Sequence, residues 1–301
     1  MKSSTAIGTT ATAEAYRGRF APSPTGLLHQ GSLLAAVGSW LDARAHGGKW
    51  LVRMEDLDRP RTVAGAAEAI LRTLDSLGLT SDEPVLYQSS RDEAYAQALE
   101  RLRANHCVYR CTCTRSELSG PYAGHCRMHP PPADGPAAWR LLLSPHARID
   151  FDDLFQGQQS FNADSIGDPV IFRRDGIAAY QLAVVVDDAF QGITHVVRGA
   201  DLLESTAWQI EVFRGLGLPA PRFGHLPLVV EPDGSKLSKS RGAQAVSGWP
   251  PGEALERILT LLGYSPPAGL RHEPVPRILD WALSGWPPAG LAGRRAIALA
   301  T

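Results

Sequence analysis

A chain of 301 residues, 44% of them hydrophobic, is long enough for one large domain or two modest ones around a real buried core. Its 30 basic residues stand against 31 acidic ones, so no global charge points to nucleic acid, and any RNA-binding surface must be a local patch. No apolar run approaches the ~20 residues of a membrane-spanning helix, which excludes that class.

Residues 1–16 are rich in Ser, Thr and Ala and read as a flexible N-terminal extension. They lack an apolar signal core, and one Lys and no Arg precede Arg17, which argues against a transit peptide. A short strand is expected over 16–20, running into a Pro-rich turn. A helix is expected over 32–45, with Leu33, Leu34, Val37 and Leu41 on one apolar face. Gly47-Gly48 stops it, and 49–54 forms the next strand. That β-turn-α-β unit opens a doubly wound, Rossmann-type parallel sheet of the α/β class. Helices follow over 63–77 and 91–105, completing the first half of this Rossmann-type domain at 17–106. Residues 107–139 form an insert, loop-rich up to Pro136 and broken by Pro130-Pro131-Pro132. The second half, 140–241, carries a hairpin around Arg173-Arg174-Asp175-Gly176, a buried strand over 182–186, a helix over 202–216 and a strand over 226–230. Asp233-Gly234 then turns into a Lys-rich loop. A short helical C-terminal region, 242–301, has a helix around 253–262 and many prolines. There is no internal repeat.

Two motifs carry the chemistry. His29-Gln30-Gly31-Ser32 lies where a strand gives way to a helix. Free N–H groups at a helix start attract phosphate, and glycine lets the backbone approach closely. An imidazole there donates to phosphate oxygens as charge builds. Lys236-Leu237-Ser238-Lys239-Ser240 would neutralise a triphosphate when its loop closes. Alone, the first is compatible with a helix cap and the second with a solvated loop. Together and in this order they form one ATP-handling device, with His29, Lys236 and Lys239 as catalytic candidates and Gly31 beside the nucleotide.

The four cysteines, Cys107, Cys111, Cys113 and Cys126, fall in one short region. Such clustering in a chain without a signal segment favours metal over disulfides and implies a reducing, cytoplasmic compartment. Cys111, Cys113 and Cys126 offer three thiolates, one short of a closed structural zinc site. His125, His129, Tyr122 and Cys107 compete for the fourth place, and spacing alone favours His129. Four reduced cysteines without metal are the plain alternative. His46, His146 and His195 read as ordinary surface or core residues.

The segment Arg19-Phe20-Ala21-Pro22-Ser23-Pro24-Thr25-Gly26, the His-Gln-Gly-Ser tetrad and the Lys-Leu-Ser-Lys-Ser loop together resemble class I aminoacyl-tRNA synthetases of the glutamyl type, over residues 17–245. Ser32 stands where the family more often has a second His, as in the glutamyl subgroup, and Leu237 replaces the more usual Met. Neither change removes a charge. The resemblance implies ATP, entering as its magnesium complex, and L-glutamate as substrates. It matches Arg19, Ser23, Glu55, Tyr180 and Arg198 to the glutamate-binding positions. Arg19 and Arg198 would fork a γ-carboxylate and Glu55 would hold the α-ammonium. From spacing alone, Arg53, Glu55, Asp56, Asp58 and Arg59 are equally compatible with a surface ion-pair network. The resemblance further implies one structural zinc, with the Tyr122 oxygen rather than His129 as fourth ligand.

The chain continues from Ser240 only to Thr301, too short for the helical anticodon-binding region of glutamyl-tRNA synthetases. This points to the family's shortened glutamyl-Q branch. That branch implies a monomer that transfers glutamate to the queuosine base of tRNA(Asp). Which residues contact the RNA the sequence does not show; Arg173, Arg174 and Arg222 are candidates only. The alternatives are a truncated enzyme charging the 3′ end of tRNA(Glu), and a non-catalytic, zinc-containing RNA-binding protein.

Overall fold

The computed structural model describes residues 15–114, 117, 120–122, 124–231 and 246–298. The Lys loop, with Lys236 and Lys239, lies outside these residues, as does the segment 1–14. Tyr16, the last residue of the expected extension, is part of the folded body. It is buried and stacked between His46 and His195, at ring-centroid distances of 5.0 and 4.1 Å.

Strand β1 (Arg17–Phe20) pairs in parallel with β2 (Lys49–Met54), and α1 (Gln30–Ala45) makes the crossover. Helix α2 (Ala66–Ser76) leads to β3 (Leu86–Tyr87), parallel to β2, and α3 (Asp92–Ala104) follows. Along β2 the side chains alternate between two cores, as a period of two requires. Trp50, Val52 and Met54 join the core under α1 and α2, while Leu51 joins the other.

The next stretch is antiparallel. β4 (Val108–Cys111) and the single turn α4 (His125–Met128) precede β5 (Ala138–Leu141), which pairs with β4. β6 (Arg148–Asp153) and β7 (Gly157–Asn162) form a hairpin. After α5 (Ala163–Ile166), β8 (Val170–Phe172) completes a three-stranded β4-β5-β8 sheet. The expected hairpin closes at Arg173, whose N–H donates to the Ile177 carbonyl at 2.8 Å.

Helix α6 (Tyr180–Phe190), β9 (His195–Gly199), α7 (Leu203–Gly215) and β10 (Arg222–Leu226) restore the parallel pattern, with β10 between β9 and β6. Just before β9, the Thr194 N–H donates to the Arg17 carbonyl at 3.0 Å, setting β9 beside β1. The strands therefore run β3-β2-β1 one way and β9-β10-β6 the other. The reversal point between β1 and β9 is where such sheets open a crevice.

Two differences from the sequence reading have physical causes. Residues 182–186, expected as a strand, lie inside α6. The run Leu182-Ala183-Val184-Val185-Val186 is almost entirely buried between α3, α7 and the sheet, and a helix buried all round leaves the same apolar run as a buried strand. The strand expected over 226–230 is split at Pro227, which lacks the N–H a continuous ladder needs. Its second part, β11 (Leu228–Val230), starts a small separate sheet. Helices α8 (Pro251–Leu262) and α9 (Val275–Ser284) cover α1, and β12 (Ala296–Ala298) pairs in parallel with β11. Leu255, Ile258, Leu259 and Ile278 are fully shielded there, each contributing about 1.5–3 kcal/mol of burial. No helix among the described residues is long and apolar enough to cross a membrane.

Candidate active site and metal centre

At the reversal point lies a cavity of about 460 Å³, lined by the loop after β1, the start of α1, the ends of β2 and β9, and the first residue of α6. It brings together Arg19, Ser23, His29, Gly31, Glu55, Tyr180 and Arg198, seven of the residues singled out from sequence.

Two arginines in this wall differ in their partners. Arg19 is 3% exposed and binds Asp188 on α6 through Nε and Nη2, at 3.1 and 3.3 Å. Asp188 also accepts from Arg53 Nη1 at 2.8 Å, and Arg53 Nη2 reaches Glu55 at 3.4 Å. Arg53 and Glu55 are thus buried together, whereas Asp58 pairs with Arg61 and Asp56 accepts from Ser89 outside that cluster. A single surface network of these charges does not form. Burial works against the Asp188 charge, but Arg19 and Arg53 outweigh it and hold this carboxyl below its usual range. For Glu55 burial wins, and its pKa is raised despite Arg53 and Arg19.

Arg198 is 4% exposed and has no carboxylate in direct contact among the described residues. Its Nε donates to His225 Nε2 at 3.1 Å, Nη2 to Thr206 Oγ1 at 2.8 Å and the Leu202 carbonyl at 3.3 Å, and Nη1 to the Tyr180 hydroxyl at 3.4 Å. Burial lowers the Arg198 pKa from its ordinary value, and Tyr180, also pushed by burial, has its own raised. A buried guanidinium held only by neutral acceptors is a strong receptor for a ligand carboxylate.

At the other end of the cavity, His29 caps α1. Its Nδ1 accepts from the Ser32 N–H at 3.2 Å, so in the neutral ring Nε2 carries the proton, 3.1 Å from Ser32 Oγ. The cap therefore does not exclude donation to a phosphate oxygen, because that would use the other ring nitrogen. A Cβ at Gly31 would stand 3.2 Å from the His29 ring, tighter than ordinary contact, so glycine keeps this turn open.

Sequence reasoning missed Asp188, the bonds of the buried Arg53 to Asp188 and Glu55, and the His225, Asp153 and Thr206 group behind Arg198. Asp187-Asp188 inside an apolar helix was the available signal, since buried carboxylates need partners. Asp187 meets this rule with Arg91, Gln88 and Tyr95.

In the insert, the sulfur atoms of Cys111, Cys113 and Cys126 lie within 4.8 Å of one another. The Tyr122 hydroxyl is 3.5 Å from Cys111 Sγ and 3.7 Å from Cys113 Sγ, and Cys113 and Cys126 sulfurs are 3.5 Å apart. A tetrahedron with zinc–sulfur bonds of ~2.3 Å has edges of roughly 3.8 Å, so the donor set fits zinc in size and chemistry. His125 and His129 stack on each other at 5.0 Å outside the cluster, and Cys107 packs against Gly215 instead. Burial opposes the Cys126 thiolate, but hydrogen bonds from Tyr122 and the Thr112 backbone prevail and bring its pKa down to about 6. Arg140 donates to Cys111 Sγ at 3.2 Å and lies over the Tyr122 ring at 3.8 Å, placing a cation behind the thiolates.

Residues 15–133 and 129–272 match the family described as tRNA synthetases class I (E and Q), catalytic domain. The chain is similar to Glutamyl-Q tRNA(Asp) synthetase of Burkholderia cenocepacia, 56% identical over 265 residues, 82% of this chain and 88% of that protein. The protein of that name from Aromatoleum aromaticum is 50% identical over 281 residues, 90% of this chain and 89% of that one. Among solved structures, a glutamate tRNA ligase from Elizabethkingia meningosepticum in complex with its amino acid superposes with a TM-score of 0.77 at 26% identity, covering 89% of this chain. The chain spans 64% of that ligase, less than two thirds. Glutamate-tRNA synthetase from Elizabethkingia anophelis gives a TM-score of 0.82 at 25% identity, over 96% of this chain and 68% of that one.

Proposed function

Because the chain belongs to the class I tRNA synthetases of the E and Q group, and is therefore a ligase, we propose that it activates L-glutamate with ATP and transfers the glutamyl group to the queuosine base of tRNA(Asp). The observation that carries the glutamate part is Arg198, a buried cation with only neutral partners beside Tyr180. The queuosine part rests on relatives of 50–56% identity that carry this name over 82–90% of the chain.

In the first step Arg198 and Tyr180 bind the γ-carboxylate, and Glu55 binds the α-ammonium. The α-carboxylate oxygen attacks the α-phosphorus of ATP, an O–P bond forms, and pyrophosphate leaves with the electron pair of the broken bond. The protein supplies position and positive charge rather than a nucleophile. His29 Nε2–H turns from Ser32 to a phosphate oxygen, and Lys236 and Lys239 neutralise the triphosphate, which enters with magnesium. In the second step a hydroxyl of the queuosine cyclopentenediol attacks the adenylate carbonyl. An ester forms, AMP leaves, and the hydroxyl proton passes to it. Cys111, Cys113, Cys126 and Tyr122 would hold a zinc whose contribution is to fix the insert. The protein would act as a cytoplasmic monomer.

Glutamine lacks the charge that Arg198 awaits, so the pocket should reject it strongly. ATP–pyrophosphate exchange with purified protein and no RNA is the test. Exchange with glutamate and not with glutamine is expected; no exchange with glutamate would sink the proposal.

A further inference from the structure

We propose that His225 is a positioning residue for Arg198, a neutral imidazole fixed by Asp153 that anchors the guanidinium without pairing its charge. This rests on Arg198 receiving the ligand carboxylate, as set out above.

The donors and acceptors settle the state of the ring. Asp153 Oδ1 accepts from the backbone N–H groups of Phe155, Gln156 and His225, at 3.1, 2.9 and 3.0 Å. An ionised carboxylate only accepts, so His225 Nδ1 must donate to Oδ2. Arg198 only donates, so His225 Nε2, 3.1 Å from Arg198 Nε, must be the lone-pair nitrogen. Thr206 does not upset this. Its hydroxyl proton goes to the Leu202 carbonyl at 3.2 Å, and its oxygen accepts from Arg198 Nη2.

His225 and Asp153 are fully buried at the side chain, so the chain Asp153, His225, Arg198 runs through the interior from β6 across β10 to β9. Nε and Nη2 are taken by His225, Thr206 and Leu202, and Nη1, which gives one N–H to Tyr180, has a second to offer the ligand. A carboxylate in the place of the imidazole would give Arg198 the kind of direct ion pair that Arg19 has with Asp188. The imidazole instead keeps the anion of Asp153 one ring away, so Arg198 is held in place and still carries its charge toward the cavity.

Two substitutions separate the ring's two contacts. The oxygen of His225→Gln reaches the Nε2 position and can still accept from Arg198. The shorter His225→Asn can reach Asp153 but not Arg198. In ATP–pyrophosphate exchange with the full chain, His225→Asn should raise KM for glutamate about tenfold, the loss of one hydrogen bond to a charged group. His225→Gln should raise it less than about threefold, and KM for ATP should stay within about twofold in both. Equal losses in both variants, parallel rises in the two KM values, or an unchanged KM for glutamate in His225→Asn would overturn the assignment. Arg198→Ala is the companion measurement. If it leaves KM for glutamate unchanged, the pocket itself is misassigned and the role of His225 falls with it; if it raises KM while His225→Asn does not, only the role of His225 fails. Should the variants not fold, nitrogen NMR of the unsubstituted protein with labelled histidine at neutral pH decides. A neutral Nδ1–H ring whose Nε2 resonance moves on adding glutamate is expected. A protonated ring, the other tautomer, or an unmoved resonance would contradict the proposal.

Discussion

The amino-acid pocket and the cysteine insert both take charge-bearing groups out of water, yet they are held by opposite means. In the pocket the counter-charges come from the fold. Arg19 and Arg53 share Asp188, Arg53 also meets Glu55, and large hydrophobic clusters fix the strands and helix that carry them. In the insert the buried cluster is Cys111, Tyr122 and Cys126, with Tyr109 and Cys113 packed on it. So small a core supplies little burial energy, and three close thiols cannot all ionise without a cation. The first region is preformed by the sequence; the second has the donors that a metal would complete. Ligand affinity in one and metal content in the other should therefore vary separately.

The largest expected effect breaks the pocket. Asp188→Ala leaves two guanidiniums buried without their shared carboxylate and should cost about 3–5 kcal/mol in urea unfolding. A loss under about 1 kcal/mol would mean water or another acid replaces it readily. Next in size is Arg198→Ala, which should raise KM for glutamate roughly 30- to 100-fold through one lost charge-assisted contact set, with little change in stability. Cys126→Ser, or a strong chelator, should remove about one zinc per chain and expose the insert to protease. The melting of the main body should move only a few degrees, and a collapse of the whole fold would show that the two regions are not independent.

The smallest effect is in pH. The folded pKa of His225 is lowered, mainly by burial, with Asp153 opposing. The unfolded chain therefore binds a proton that the folded one resists. This contribution to stability is complete above the unfolded value of about 6.5 and is lost as pH falls through it, at most about 1.4 kcal/mol per pH unit. His225→Gln should flatten that part of the profile, and an unchanged slope would assign it to another group, such as His195, whose pKa burial also lowers.

What the sequence made legible was local. The tetrad at the start of α1, Arg19 near the end of β1, Ser23 in the loop between them, Glu55 at the end of β2 and the close-set cysteines all lie near a turn or strand end that composition marks. What stayed hidden was assembled at a distance. Asp188 faces Arg19 across 169 residues, and Asp153 faces His225 across 72. No spacing rule links such pairs, and each looks like an ordinary charge until the sheet closes. Helix α6 was hidden for a related reason. Burial on every side erased the periodicity that separates helix from strand. Spacing also could not show that the Tyr122 hydroxyl lies 3.5 Å from Cys111 Sγ while His129, lining the same cavity, stacks on His125.

The most direct test of the central claim is transfer of labelled glutamate, with ATP, to tRNA(Asp) whose 3′ end is blocked by a phosphate, prepared with and without queuosine, beside unblocked tRNA(Glu). The account predicts label on the blocked tRNA(Asp) only when queuosine is present. Label on the tRNA(Glu) 3′ end alone would contradict it and make the protein a charging enzyme of glutamate acceptor RNA.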